Sequence, residues 1–355
     1  MPSAPHRTSP DEITPPRTIA VIGAGVVGLT CALELARAGH LVTMVADASA
    51  EDSVSGVAGG IWFPHQSEGS PRAARLLADS FEAFRALAHS VPEAGVDLRR
   101  GVWVARGAAS DDAWVDSLGA SADGGPAGRA AIAALPHHQW PDGATDAFSC
   151  SLPVVDMPTY LPWLRAQCAA AGVRVVRSTA DSVAHAASVA AREGNPADLV
   201  VVAAGARSGD LLGDTSGFPV RGQVVRLEQP QDRNGAPIIT EWFMDDDHPD
   251  GMIYVIPRRG DIVVGGTDDV GAADTTWDAR TEAAILARAV AAVPALAGLR
   301  VISRGVGLRP ARPSLRLEAV AAHPVQVIAA YGFGGAGVTL SWGAAAEVAS
   351  LVGSS

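Results

Sequence analysis

Thr18-Ile19-Ala20-Val21-Ile22-Gly23-Ala24-Gly25-Val26-Val27-Gly28 is a short apolar run that breaks into three spaced glycines. The run reads as a buried first strand and the glycines as a tight turn after it. Beyond the turn, Val27, Cys31, Ala32, Leu35 and Ala36 recur at helical spacing, and Gly39 closes the helix. Leu41 to Val45 is a second apolar run, with Asp47 just past its end. Strand, turn, helix, strand and terminal acid together make a dinucleotide fingerprint. In it Gly23, Ala24, Gly25, Val26, Val27 and Gly28 would bring backbone N–H groups to a pyrophosphate, at the positive end of the helix. Asp47 would reach a ribose hydroxyl.

A second glycine-rich stretch, Tyr331-Gly332-Phe333-Gly334-Gly335-Ala336-Gly337-Val338-Thr339, lies near the other end of the chain. Two such segments suggest a long cofactor gripped at both ends. Gly307-Leu308-Arg309-Pro310-Ala311-Arg312-Pro313 precedes the second one. A guanidinium presents a planar fork that matches a carboxylate and stays charged when buried, so Arg309 suits a small anionic group beside the cofactor. Arg312, between Pro310 and Pro313, reads as structural or as the partner of an acid. The combination points to a flavin rather than a nicotinamide.

Composition narrows the class. A chain of 355 residues with 18% charged and 48% hydrophobic residues is globular, with length for one large domain or two. A net charge of −11 argues against nucleic acid as a partner. The three cysteines, Cys31, Cys150 and Cys168, show neither a disulfide framework nor a metal spacing, which fits a reducing cytoplasm. His65, His137, His138 and His248 are scattered and make no metal triad. No apolar run approaches the roughly 18 residues of a membrane span. Residues 1–17 are proline-rich and read as a disordered tail.

Further along, residues 71–89 form an amphipathic pattern with Ala73, Leu77, Phe81, Phe84 and Ala88 on one face. The stretch 106–150 reads as loop-like, with Trp103 and Trp114 in short strand-like patches. Asp156 to Ala171 reads as a helix and Val173 to Arg177 as a strand. Ala197 to Ala206 is an apolar run closed by glycine, a second buried parallel strand. Val220 to Leu227, Met252 to Ile256 and Asp261 to Gly266 read as antiparallel strands, and 281–292 as a helix.

With these pieces in order, the chain from Thr18 onward resembles the D-amino-acid oxidase family of FAD flavoenzymes. The resemblance rests on Val21 to Leu29, Val57-Ala58-Gly59-Gly60-Ile61-Trp62-Phe63-Pro64, Arg221-Gly222-Gln223, Tyr254-Val255-Ile256-Pro257, Gly307 to Pro310 and Tyr331 to Gly335. It implies an α/β fold (α+β overall): a Rossmann-like FAD-binding domain with a parallel sheet plus a mixed, mostly antiparallel β substrate domain. The FAD-binding domain is expected over 18–62, 150–215 and 304–355, and the substrate domain over 63–149 and 216–303. FAD would be bound non-covalently. The family pattern puts Asp47 on the adenosine ribose and the Ala180 backbone on the adenine. It runs Ser53, Val54, Ser55, Gly59, Gly60 and Ile61 along the ribityl chain and flavin face. Gly334, Gly335, Gly337, Val338 and Thr339 would cap the pyrimidine end, where a helix beginning near Val338 aims its positive end.

The resemblance further implies that Arg309, itself a flavin neighbour, holds the α-carboxylate of a D-amino acid. Tyr254 adds a hydroxyl bond and the Gly335 carbonyl takes the amine. Hydride would pass from Cα to flavin N5, and molecular oxygen would end as hydrogen peroxide. Trp62, Phe63 or Phe243 would give the side-chain pocket an apolar wall. One departure is plain: Asp250 stands where mammalian members carry a second tyrosine. It belongs to Asp245-Asp246-Asp247-His248-Pro249-Asp250, which reads as a solvated loop or as a lid edge favouring cationic side chains. Arg258 and Arg259, expected to face solvent, could instead pair an acidic side chain. D-aspartate oxidase, glycine or sarcosine oxidase, a quinone-linked dehydrogenase and a non-catalytic flavin-binding module stay open as alternatives. Neither membrane nor nucleic acid is an expected partner, and a homodimer is one assembly the sequence allows.

Overall fold

The computed structural model describes residues 15–64, 70–107, 113–118, 128–192, 194–321 and 325–353. Most of the tail expected over 1–17, and His65, lie outside the described residues. Among the described residues 14 strands share one sheet. The first five are β1 (Thr18–Ile22), β2 (Leu41–Ala46), β3 (Val96–Ala105), β4 (Ala133–Ala134) and β5 (Asp146–Val155). Next come β6 (Arg174–Arg177), β7 (Leu199–Val202), β8 (Phe218–Glu228), β9 (Trp242–Asp245) and β10 (Ile253–Pro257). The last are β11 (Asp261–Gly265), β12 (Asp269–Val270), β13 (Val301–Val320) and β14 (Gln326–Phe333).

One half of the sheet, in the order β14-β7-β1-β2-β6, is parallel throughout. Both faces of its central strand are covered. Ile19 and Val21 pack into the cluster that holds Leu29 and Leu33, while Ala20 and Ile22 pack into the one that holds Val183 and Val202. That double burial is why the run is apolar without alternation. The other half, β4-β5-β3-β9-β10-β11-β8-β13, is antiparallel except for the β3–β9 pair.

β13 is the seam. Its residues from Val301 to Ala311 pair with β8, and those from Ala311 to Val320 pair with β14, both antiparallel. The register with β14 shifts between Ala311 and Arg316, where Arg312 and Pro313 lie. A proline has no N–H to give the ladder, so a bulge there is the expected accommodation. Arg309 thus stands on a strand that joins the two halves of the sheet.

Eight α-helices are described: α1 (Val26–Arg37), α2 (Val54–Val57), α3 (Pro71–Ser90), α4 (Met157–Ala170), α5 (Val183–Val189), α6 (Ser208–Leu212), α7 (Ala279–Ala292) and α8 (Ser341–Gly353). α3 starts where its sequence says it should: Pro71 opens it, and the Ser70 hydroxyl accepts the Ala73 N–H at 3.2 Å. α3 and α8 cross closely, because a Cβ on Gly343 would lie 2.3 Å from the Leu76 carbonyl oxygen. Three expectations change. Trp114 lies in a 3-10 turn, Ala113–Ser117, whereas Trp103 is in β3. The stretch expected to be loop-like ends in a strand, β5, that pairs along its whole length with β3. The last helix begins at Ser341, after a 3-10 turn over Gly334–Ala336 and further turns, rather than near Val338. No helix among the described residues is long and apolar enough to cross a membrane.

Candidate active site

A cavity of about 510 Å³ runs past the turn after β1, the acid after β2, the loop after β7, and the seam strand. Crevices in open α/β sheets lie at these carboxyl ends. Ala24, Gly25, Val26 and Val27 line it along with Gly23. Gly28 does not. Its place is inside the turn, where a Cβ would come 2.1 Å from the Gly23 carbonyl oxygen. Gly23 has φ +105 and would itself drive a Cβ to 2.4 Å from the Ala203 oxygen, so no other residue fits. At Gly25 an added Cβ would meet the Ser55 hydroxyl at 3.2 Å, in space a cofactor's phosphates would need.

The wall continues through Ser53, Val54, Ser55, Gly59, Gly60 and Ile61. The Ser55 hydroxyl accepts the Val26 N–H at 3.0 Å, at the N-terminus of α1. The Ser53 hydroxyl donates to the Ala50 carbonyl at 2.6 Å and accepts the Ser55 N–H. Asp47 and Ala180 both line the cavity. Between them lies a residue that the sequence reading missed. Arg207 donates to Asp47 Oδ2 at 3.1 Å and to the Ala180 carbonyl at 3.0 Å. Thr179 also donates to Asp47, at 3.2 Å. The available signal was position: Arg207 follows the glycine that ends the second parallel strand.

Gly334, Gly335, Gly337, Val338 and Thr339 line the same cavity. The Thr339 side chain is buried elsewhere: its hydroxyl donates to the Phe63 carbonyl at 2.8 Å and accepts the Phe63 N–H at 3.3 Å. It fastens the 61–63 segment to the C-terminal turn, so only its backbone can face a ligand.

Arg309 and Tyr254 meet here, from strands β13 and β10. Burial pushes the Tyr254 hydroxyl above its ordinary range, while the adjacent Arg309 charge and hydrogen bond pull it back. Tyr254 is therefore a neutral donor at working pH. Arg309 Nη1 donates to the Thr267 carbonyl at 2.9 Å and to Asp268 Oδ1 at 3.2 Å. Three glycines make room for the pair. A Cβ on Gly222 would lie 2.7 Å from the Arg309 guanidinium, and Cβ atoms on Gly265 and Gly266 would lie 2.4 and 2.7 Å from Tyr254 Oη.

Other expectations need correcting. Of the three aromatic residues expected to wall the side-chain pocket, Phe63 alone lines the cavity. Trp62 is fully buried, edge-on to Phe81 at 5.0 Å. Phe243 packs with Val255 and Ile285 in a separate core cluster. Met244 and Met252 take their place on the wall. Arg258 is not solvent-facing: it is fully buried and bidentate to Asp261, at 2.6 Å through both Nε and Nη2. Arg259 is tied to Asp97 at 2.8 and 3.0 Å. Neither arginine lines the cavity. The acidic run is not wholly a solvated loop, since Asp245 is buried at the end of β9 and bidentate to Arg106. Asp246 lines the cavity. Arg312 pairs with Asp214 at 2.9 Å and lies over the Tyr331 ring. The Tyr331 hydroxyl and Ser216, ahead of Arg312, hold the Asp214 carboxyl well below the usual range. No metal-binding group of His, Cys, Asp or Glu occurs among the described residues.

Comparisons with known proteins bear on the family and the fold. The family described as FAD dependent oxidoreductase matches residues 18–351. A D-amino-acid oxidase of Rubrobacter xylanophilus is 35% identical over 337 residues, covering 94% of this chain and 95% of that protein. The human D-aspartate oxidase is 30% identical over 348 residues, covering 94% of each. Among solved structures, a glycine oxidase from Bacillus cereus superposes with a TM-score of 0.73 at 20% identity, covering 95% of both chains. At that identity the likeness concerns the fold alone.

Proposed function

The chain belongs to the FAD dependent oxidoreductase family, and on that premise we propose that it is a D-amino-acid oxidase. It deaminates D-amino acids oxidatively with oxygen as acceptor, giving a 2-oxo acid, ammonia and hydrogen peroxide. Relatives 35% identical over 94% of the chain bear that name, and the D-aspartate, glycine or sarcosine, quinone-linked and non-catalytic readings are not favoured. The observation that carries the site assignment is the meeting of Arg309 and Tyr254 in the cavity that the glycine fingerprint also lines.

The residues present fit FAD. Gly25 leaves free the space beside the Ser53 and Ser55 hydroxyls that a Cβ would fill, and one cavity joins Asp47 to the turn at 334–339. Asp47, Arg207 and the Ala180 backbone would hold the adenosine. Residues 24–27 with Ser53 and Ser55 would hold the pyrophosphate, and Gly59, Gly60, Ile61 and 334–339 the flavin. When bound, FAD supplies the two-electron acceptor and passes the electrons on to oxygen. Arg309 grips the α-carboxylate with the guanidinium N–H groups left over from Thr267 and Asp268. Tyr254 donates its hydroxyl to the same carboxylate, and the Gly335 carbonyl accepts from the amine. Three fixed points leave one enantiomer with its α-hydrogen toward the flavin, so orientation supplies much of the catalysis. The free, buried thiols of Cys31, Cys150 and Cys168 suit a reducing compartment. A cytoplasmic location and a homodimer are part of the proposal.

Peroxide release tests it: D-alanine should give peroxide and L-alanine none, and the reverse would sink the assignment. Two further results are expected. Among the described residues no Cys or His lines the cavity, so acid precipitation should release all the yellow colour into the supernatant. Colour kept in the pellet would show a covalent link. Tyr254→Phe removes one hydrogen bond to a charged group, worth about 1.5–3 kcal/mol. Steady-state kinetics should show kcat/KM for D-alanine down at least tenfold, and an unchanged value would remove Tyr254 from the carboxylate.

A further inference from the structure

We propose that Asp268, together with Asp246 on the cavity wall, sets the side-chain preference of the substrate site, excluding acidic D-amino acids and favouring cationic ones. The inference rests on the oxidase reading above. Its starting point is the division of the Arg309 guanidinium. Nη1 is already engaged by the Thr267 carbonyl at 2.9 Å and by Asp268 Oδ1 at 3.2 Å. The donors that remain serve one carboxylate, the α-carboxylate of the substrate. A substrate with a second carboxylate needs a second cation, and Asp268 has taken the share of Arg309 that could have provided it.

No other arginine fills that need. Among the described residues on the cavity wall the only other cation is Arg207, which is held by Asp47 and the Ala180 carbonyl. Arg258 and Arg259 are bound to Asp261 and Asp97. The surroundings add charge of the opposite sign. A second cavity shares Asp246 and Met252 with the first, and its wall carries Asp246, Asp247, Asp250, Asp268 and Asp269, of which Asp269 is paired with Arg221 at 3.3 Å. The cation on that wall, Arg288, donates to the Gly266 carbonyl at 3.4 Å and feels the Asp250 charge. Among the described residues His248 is its one histidine. A bound side chain extending past Met252 therefore meets a field that repels a carboxylate and attracts an ammonium or guanidinium. Specificity of this kind comes as much from a built-in repulsion as from an attraction.

Asp268 also positions Arg309, so a loss of activity alone would not separate the two roles. The ratio of kcat/KM for D-lysine to that for D-glutamate does, with D-alanine as reference. In the unchanged enzyme the ratio should exceed tenfold. Asp268→Asn should shrink it by about tenfold, the scale of one partly buried charge contact, mainly through KM. Asp268→Glu, which keeps the charge, should hold the unchanged enzyme's ratio. Should Asp268→Asn be inactive toward every substrate, Asp246→Asn carries the same test, and a smaller ratio is again the expected result. A ratio that stays within twofold in both Asn variants, or an unchanged enzyme that prefers D-glutamate, overturns the inference while D-alanine turnover leaves the oxidase reading intact. Failure of the unchanged enzyme to oxidise any D-amino acid overturns both.

Discussion

Arg309→Ala is expected to lower kcat/KM for D-alanine by about 30- to 5,000-fold while the protein stays yellow. Truncating one partner of a buried, hydrogen-bonded charge pair costs about 2–5 kcal/mol, and about 1.4 kcal/mol is a factor of ten. Misplacement of the α-hydrogen adds to the loss, because an unanchored carboxylate lets the substrate pivot. The variant should fold. Arg309 is half-buried on the cavity wall, and water entering the cavity can replace its lost contacts to Thr267 and Asp268, both of them half-buried too. Arg309→Lys should recover little, since an ammonium is a point charge without the fork. Steady-state assays with flavin absorbance recorded on the same sample check both halves. Near-normal turnover would take Arg309 out of the substrate site.

The second large effect concerns the cofactor. Gly28→Val should yield protein that purifies without flavin and melts lower than the unchanged chain. Even a methyl at Gly28 would be 2.1 Å from the Gly23 carbonyl oxygen, far inside van der Waals contact. That oxygen belongs to backbone that cannot swing aside, because Gly23 is itself pressed against Ala203 at the end of β7. The start of α1 would have to retreat from the turn, carrying with it the Val26 N–H and the rest of the anion-facing end. Absorbance and thermal melting of the purified variant read the outcome. Bound flavin at the normal ratio would show that this close approach is not what shapes the turn.

What could be read from the chain alone was local in origin. The glycines of the fingerprint and of Gly334-Gly335 announce themselves because a backbone that turns sharply or approaches closely excludes other residues within a few positions. Arg309 and Tyr254 stood out through their motifs. What escaped is set by pairing across distance. β13 carries two prolines, which argue against a strand, and only its place between β8 and β14, with a bulge after Ala311, makes it one. Asp245 reads as part of a charged loop until Arg106, far earlier in the chain, closes on it. Arg207 has no motif of its own and becomes visible once β7 lies beside β1, which brings it to Asp47. Met244 rather than Phe243 lines the cavity because successive strand residues face opposite sides of the sheet, which sends Phe243 into the other cluster.

Anaerobic titration of the yellow protein tests the central claim most directly. Under nitrogen, D-alanine should bleach the oxidised flavin band, and L-alanine at the same concentration should leave it unchanged. Admitting air should restore the band and release one equivalent of hydrogen peroxide. Bleaching by the L-enantiomer, or no bleaching by any D-amino acid, would contradict a site in which Arg309, Tyr254 and the Gly335 carbonyl fix a D-amino acid against FAD.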